Sequence, residues 1–195
     1  MERWVLLRKG ADFEAIGKKY QISPRLACLI RNRDVIGEEA VDRYLNGTIS
    51  DLYDGMLMKD MDKAIDILKE KILEDKKIRV IGDYDIDGVN ATYILLEGLE
   101  RLGADVDSDI PDRISDGYGL NRHLVERAYE AGVDTLITCD NGIAAADEIA
   151  YGKEMGMTVI VTDHHEVPFD EQDGEKRYRI PPADAVMDPK QPDCL

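Results

Sequence analysis

From residue 77 onward, short runs rich in Val, Ile and Thr alternate with helical stretches that close on glycine, and this alternation constrains the fold more than any other feature. Ile78-Arg79-Val80-Ile81 precedes a helix over 89–102 that stops at Gly103. A second strand over 105–110 precedes a helix over 122–131, closed by Gly132. A third over 135–138 precedes a helix over 144–155, closed by Gly156; residues 158–162 are the fourth, and Ala185-Val186-Met187 reads as a fifth. Helix, glycine and apolar strand in strict repetition mark β-α units. They imply an α/β fold: a parallel sheet with helices on both faces.

The chain before this point reads differently. Residues 1–54 form a small helical N-terminal region, with helices expected over 11–20, 24–32 and 37–45. Ser23-Pro24 supplies an N-cap and a first-turn proline. Residues 55–195 form the second expected domain. It opens with an amphipathic helix in which Met61, Ala64, Ile65, Leu68 and Ile72 recur at three- and four-residue spacing. Residues 166–182 are polar and carry Pro168, Asp173-Gly174, Pro181 and Pro182, so a loop without a strong element is expected there.

Composition excludes several classes. With 195 residues, 44% of them hydrophobic, the chain buries a real core and is not a disordered tail. No apolar run is long enough to span a bilayer, and MERWVLLRKG lacks the apolar stretch of a secretory signal. Cys28, Cys139 and Cys194 are an odd number, far apart, read as free thiols in a reducing, cytoplasmic compartment. The net charge of −16 repels nucleic acid at long range, so any role on DNA must answer it. The charge is uneven: eight bases face four acids in residues 1–34, against seventeen and thirty-seven in the remainder. Lys9, Lys18, Lys19, Arg25, Arg31 and Arg33 are therefore either a solvated helix surface or contacts to phosphate. Trp4 and Tyr20 read as packing residues, His123 as solvated and Cys139 as a buried structural thiol.

The strand ends carry the chemistry. The first ends in Gly82-Asp83-Tyr84-Asp85-Ile86-Asp87-Gly88, the second near Asp112-Arg113, the third in Asp140-Asn141-Gly142, the fourth in Asp163-His164-His165. Open parallel sheets place their sites beyond the carboxyl ends of the strands. One strand-end Asp is an ordinary helix cap, but four such ends would bring at least six acids and two histidines to one rim. Like charges so collected repel unless cations sit among them. Carboxylates with imidazoles and no thiolate pair suit Mn²⁺ or Mg²⁺, and two such ions ~4 Å apart form the clamp used in phosphoester hydrolysis. Asp83-x-Asp85-x-Asp87-Gly88 also matches the start of a calcium EF-hand loop, but the twelfth position is Ile94 rather than Glu and the loop follows a strand. A receiver domain also collects acids at strand ends but has no use for His164-His165. Neither G-x-G-x-x-G nor GK[ST] occurs.

VIGDYDIDGV, IPDRISDGYGLN, LITCDNGI and VIVTDHH, in that order, resemble the DHH phosphoesterase superfamily, and within it the RecJ family of single-strand-specific 5′→3′ exonucleases. The resemblance covers about residues 55–195. It implies that Asp85 and Asp87 each serve a metal, that Asp140 bridges the two, that His164 ligates one, and that His165 contacts substrate phosphate. Asp163 is expected to orient His164 from behind. Asp83 caps the turn, ligates through water or holds the loop. Arg113 faces phosphate or pairs with Asp112 or Asp116. The implied activity is hydrolysis of single-stranded DNA to 5′-mononucleotides in repair and recombination, with no membrane partner. The alternatives are a DHH phosphodiesterase acting on short or cyclic nucleotides and a non-catalytic scaffold. Many superfamily members carry His where Ile81 stands, which weakens one metal shell. RecJ proteins are longer, so a further carboxylate ligand is expected after residue 195. The chain alone is expected to bind at most one metal tightly and to show little nuclease activity.

Overall fold

The computed structural model describes residues 5, 9–114, 116–172 and 174–194, so Trp4 lies outside the described residues. The chain divides into two compact units, Met1–Tyr53 and Asp54–Leu195.

Among the described residues the first unit holds three short α-helices, α1 (Phe13–Tyr20), α2 (Pro24–Asn32) and α3 (Glu38–Asn46). Asp12 caps α1 by accepting from the Ala15 N–H at 2.9 Å, and Ser23 caps α2 by accepting from the Leu26 N–H at 3.2 Å. Gly17 lets α1 approach the following turn closely, because a Cβ there would stand 2.8 Å from the Ile22 carbonyl. Ala27, Ile30 and Val41 make the small core. Three of the six bases noted above are ion-paired within the unit: Lys9 and Arg31 with Asp34, Lys19 with Glu38. Tyr20 is half-buried, and its hydroxyl donates to the Glu38 carbonyl at 2.9 Å.

The second unit is the β-α domain. Its elements are α4 (Met61–Leu73), β1 (Ile78–Ile81), α5 (Ile86–Arg101), β2 (Val106–Asp109), α6 (Arg122–Glu130), β3 (Thr135–Cys139), α7 (Ala146–Glu154), β4 (Thr158–Thr162), β5 (Phe169–Gln172), β6 (Glu175–Tyr178) and β7 (Ala185–Met187). Five strands form one sheet in the order β2-β1-β3-β4-β7, every pair parallel. Alternate side chains go to opposite faces. Ile81, Leu136, Val159, Val161 and Val186 pack under α6 and α7; Val80, Ile137, Ile160, Ala185 and Met187 pack under α4 and α5. All five residues of β3 are buried, as a central strand covered on both faces requires. Among the described residues no helix is long and apolar enough to cross a membrane.

One expectation fails. Residues 166–182 are not a bare loop: β5 and β6 form an antiparallel hairpin, Phe169 opposite Tyr178 and Gln172 opposite Glu175. Every residue of both strands is exposed, so no face alternates between core and solvent and the period-2 signal never appears in the sequence. Gly174, at φ +80°, turns the hairpin.

The strand order also locates a crevice. From β1 the chain passes through α5 on one face to β2, while from β3 it passes through α7 on the other face to β4. The connections diverge between β1 and β3, and at such a switch point the carboxyl ends leave an open cleft.

Candidate metal centre

Asp83 and Asp85 leave β1 at that cleft. Asp85 is the N-cap of α5, its Oδ1 accepting from the N–H groups of Asp87 at 2.9 Å and Gly88 at 3.0 Å. These donors, Gly88 first, hold its carboxyl below the usual carboxylate range. The turn is very tight. A Cβ on Gly88 would stand 2.5 Å from the Asp83 carbonyl oxygen and 2.6 Å from its nitrogen, and one on Gly82 would collide with the Thr92 hydroxyl. The Asp83 side chain is fully buried, and neither carboxylate oxygen has a hydrogen-bond partner.

Asp140 follows β3 in the left-handed region, at φ +59°, a conformation Asp tolerates better than most side chains. Its Oδ1 lies 2.8 Å from His164 Nε2. Burial pushes the Asp140 carboxyl up, His164 opposes this, and Asp85 adds to it. Beside it, Asn141 ties the two strand ends together, its Nδ2 donating to the carbonyls of Ile81 and Cys139.

Asp163 is saturated. Its Oδ2 accepts from the Ile143 N–H at 2.9 Å; its Oδ1 accepts from the His164 N–H at 2.7 Å and lies 2.7 Å from His165 Nδ1. The expected pairing of Asp163 with the His164 ring is therefore corrected. The carboxylate reaches His164 only through its main chain and grips the ring of His165, because the turn formed on the next two N–H groups brings residue 165 back over it. That hydrogen bond raises the His165 pKa against the lowering effect of burial.

The structure thus brings five of the expected residues into two overlapping groups, Asp83–Asp85–Asp140 and Asp140–His164–His165, the ligand atoms of each lying within 4.8 Å of one another. Asp140 belongs to both. Asp87 stands outside both, exposed in the first turn of α5, but shares with Asp140 and His164 the wall of a cavity of about 620 Å³ whose other sides are α4 and α5. Arg113 lies over the Tyr84 ring, 5.2 Å from its centroid. Cys139 is buried and shares a hydrogen bond with Thr92, and His123 is exposed, both as expected.

Two residues of the site were not singled out from the sequence. Tyr118, within the quoted DGYG segment, places its hydroxyl 3.2 Å from His165 Nε2. Burial, and then Asp83, Asp140 and the other acids, push that phenol up to about 12, so it stays neutral. Asp188 follows β7 and is fully buried; one oxygen accepts from the Lys190 N–H at 2.7 Å and the other has no partner. Its signal was available, since the apolar triplet Ala185-Val186-Met187 stops on an acid as the other strands do.

Buried carboxylate oxygens without donors, next to further acids and an imidazole, are stabilised by a proton or a bound cation. The donors present, oxygen with imidazole nitrogen, fit Mn²⁺ or Mg²⁺.

Comparison with known proteins agrees. The DHH family N-terminal domain matches residues 77–195, and the chain belongs to the DHH family. Within that family its similarity runs to RecJ. It is 38% identical over 193 residues to the single-stranded-DNA-specific exonuclease RecJ of Bacillus subtilis (strain 168), covering 98% of this chain and 23% of that protein. It is 30% identical over 195 residues to RecJ of Escherichia coli (strain K12), covering 100% and 32%. Among solved structures, exonuclease RecJ bound to manganese superposes with a TM-score of 0.62 at 36% identity, covering 74% of this chain and 34% of the other. RecJ of Thermus thermophilus in complex with Mn²⁺ gives 0.62 at 29%, covering 98% and 26%. The chain spans about a quarter to a third of the length of these curated relatives.

Proposed function

We propose that this chain carries the metal-binding core of a RecJ-type exonuclease that hydrolyses single-stranded DNA from its 5′ end in repair and recombination, in the cytoplasm. One observation carries the proposal: two ligand groups joined by Asp140 at the switch point, with the orphaned Asp83 carboxylate buried behind them.

The roles proposed are those that the resemblance to the RecJ family implies. Asp85, with Asp83 behind it, would hold one ion. Asp87 and His164, which share a cavity wall with Asp140, would hold the other, and Asp140 would serve both. Divalent ions held by these residues would supply positive charge for phosphate oxygens and a Lewis acid for water. His165, anchored by Asp163 at Nδ1, would meet a phosphate oxygen at Nε2, the nitrogen the Tyr118 hydroxyl holds in the free chain. Arg113, held over Tyr84 at the same rim, offers a guanidinium fork to the next phosphate. The acidity of the chain is consistent with this reading, because part of the negative charge sits where cations would cancel it.

Calorimetric titration with Mn²⁺ tests the site, and digestion of a fluorescent single-stranded oligonucleotide tests the reaction. Saturable Mn²⁺ binding that disappears in Asp140→Asn is expected, with only slow, Mn²⁺-dependent release of mononucleotides from the 5′ end. Absence of Mn²⁺ binding, or equal binding by the variant, overturns the reading.

A further inference from the structure

Two side chains grip the His165 ring from opposite ends. Asp163 Oδ1 lies 2.7 Å from Nδ1, and the Tyr118 hydroxyl lies 3.2 Å from Nε2. The same hydroxyl stands 3.4 Å from the main-chain carbonyl of Asp140, so one oxygen touches both the imidazole and the backbone of the acid common to both ligand groups. The rings of Tyr118 and His165 meet edge to face at 6.1 Å, and Tyr84 meets Tyr118 in the same manner at 6.2 Å.

The connection between β2 and α6 is shaped to deliver this tyrosine. Gly117 and Gly119 flank it at φ +81° and +67°, in the left-handed region where any other residue is strained. A Cβ on Gly119 would come 3.3 Å from that of Asn141, so the loop presses directly on the end of β3. Asp116 braces it: its carboxylate accepts from the Asp112 N–H at 3.0 Å, and its carbonyl accepts from Asn121 Nδ2 at 3.1 Å.

From these contacts we infer that Tyr118 is a positioning residue whose hydroxyl fixes the His165 ring against Asp163 and ties it to the backbone of Asp140. The inference deepens the proposed function, since it rests on His165 being the group that meets phosphate. A hydroxyl suits the task because it donates its one proton to a bare ring nitrogen, or accepts from a protonated one while donating to the Asp140 carbonyl, so the ring keeps its place in either state. Phenylalanine would keep the ring contacts and lose only this grip.

The test uses the whole chain, free of metal and DNA, with ¹⁵N-labelled histidine observed by long-range ¹H–¹⁵N NMR. The unaltered chain should show a single set of His165 ring signals with the proton on Nδ1. In Tyr118→Phe the His165 Nε2 signal should shift and broaden while exposed His123 stays unmoved and the melting temperature is unchanged. An unaltered His165 spectrum overturns the inference. So does a change spread over His123 and the backbone amides with lowered melting, which marks a merely structural residue. Because neither metal nor substrate is present, the outcome is independent of whether the chain hydrolyses DNA.

Discussion

His164 Nε2 and Asp140 Oδ1 lie 2.8 Å apart, joining the carboxyl ends of β3 and β4 across one strand gap. The contact stands where an imidazole would otherwise share an ion with that carboxylate, so metal and hydrogen bond compete for the same two atoms. In the metal-free chain Asp140 remains an acid whose carboxyl burial pushes up, with Asp85 nearby.

The sign of its linkage follows. A group whose folded-state pKa is raised stabilises the fold in its protonated form, and that contribution is lost as pH rises through the folded value. At neutral pH in EDTA, Asp140→Asn should therefore melt higher than the unaltered chain. A gain of about 1 kcal/mol would appear as a shift of roughly 3 °C at this size. The gain should shrink as pH falls through the raised carboxyl's range. Thermal melts from pH 7 to 4 check this; a variant that melts lower at pH 7 in EDTA contradicts it.

Asp83→Asn should likewise be more stable without metal, and lose that advantage when metal binds. Without Mn²⁺, removing a buried, partnerless charge raises stability. With Mn²⁺ at a hundred times its dissociation constant, the unaltered chain should gain about 2.7 kcal/mol by mass action, and the variant much less. The two melting curves should cross as Mn²⁺ is added. Parallel curves at all concentrations would remove Asp83 from the cation's surroundings.

Most of the domain's strands were legible because buried parallel strands are short apolar runs, and the helix ends because glycine closes them. What escaped did so for physical reasons. α5 begins at Ile86, three residues before its expected start, because the Asp85 side chain caps the helix within the acidic motif itself. The β5–β6 hairpin buries neither face and leaves no periodicity. Tyr118 acts through one hydroxyl delivered by a glycine-flanked loop, a geometry with no spacing rule. Asp163 was recognised as a supporting acid, but which histidine ring it supports depends on a turn of three consecutive residues. The acids of motif order were easy to find; the distinction between buried Asp83 and exposed Asp87 needed coordinates.

Away from the site, the sheet edge carries a pH signal of its own. Arg79 on β1 and Asp107 on β2 are register partners, joined by two hydrogen bonds of 2.6 and 2.7 Å, with Lys77 at 3.1 Å. Burial pushes the Asp107 carboxyl up, but Arg79 and Lys77 more than reverse it and hold it below the usual range. Its stabilisation is thus present above the ordinary carboxylate pKa and lost as pH falls through the depressed folded value. Asp107→Asn should cost about 1 kcal/mol at pH 7, a figure already reduced for partial exposure, and nothing at strongly acid pH. Urea titrations at the two pH values check it; an equal loss at both would assign the effect to packing rather than charge.

The last prediction separates two glycines of one helix. Gly88 lies in the first turn of α5, where a Cβ would stand 2.5–2.7 Å from three backbone atoms of Asp83. Backbone cannot rotate away as a side chain can, so Gly88→Ala must push the helix start off the motif. Overpacking of this kind costs roughly 1–3 kcal/mol. The displacement acts on the very segment that holds Asp83 and Asp85, so Mn²⁺ affinity should fall with stability. Gly98, ten residues along the same helix, is exposed and has nothing within 4 Å of its Cβ position. There Gly98→Ala should stabilise by about 0.5–1 kcal/mol through helix propensity and leave Mn²⁺ affinity unchanged. Paired urea melts and Mn²⁺ titrations of the two variants decide the matter. If Gly88→Ala bound Mn²⁺ normally, the tight turn after β1 would be a folding device with no hold on the ligands.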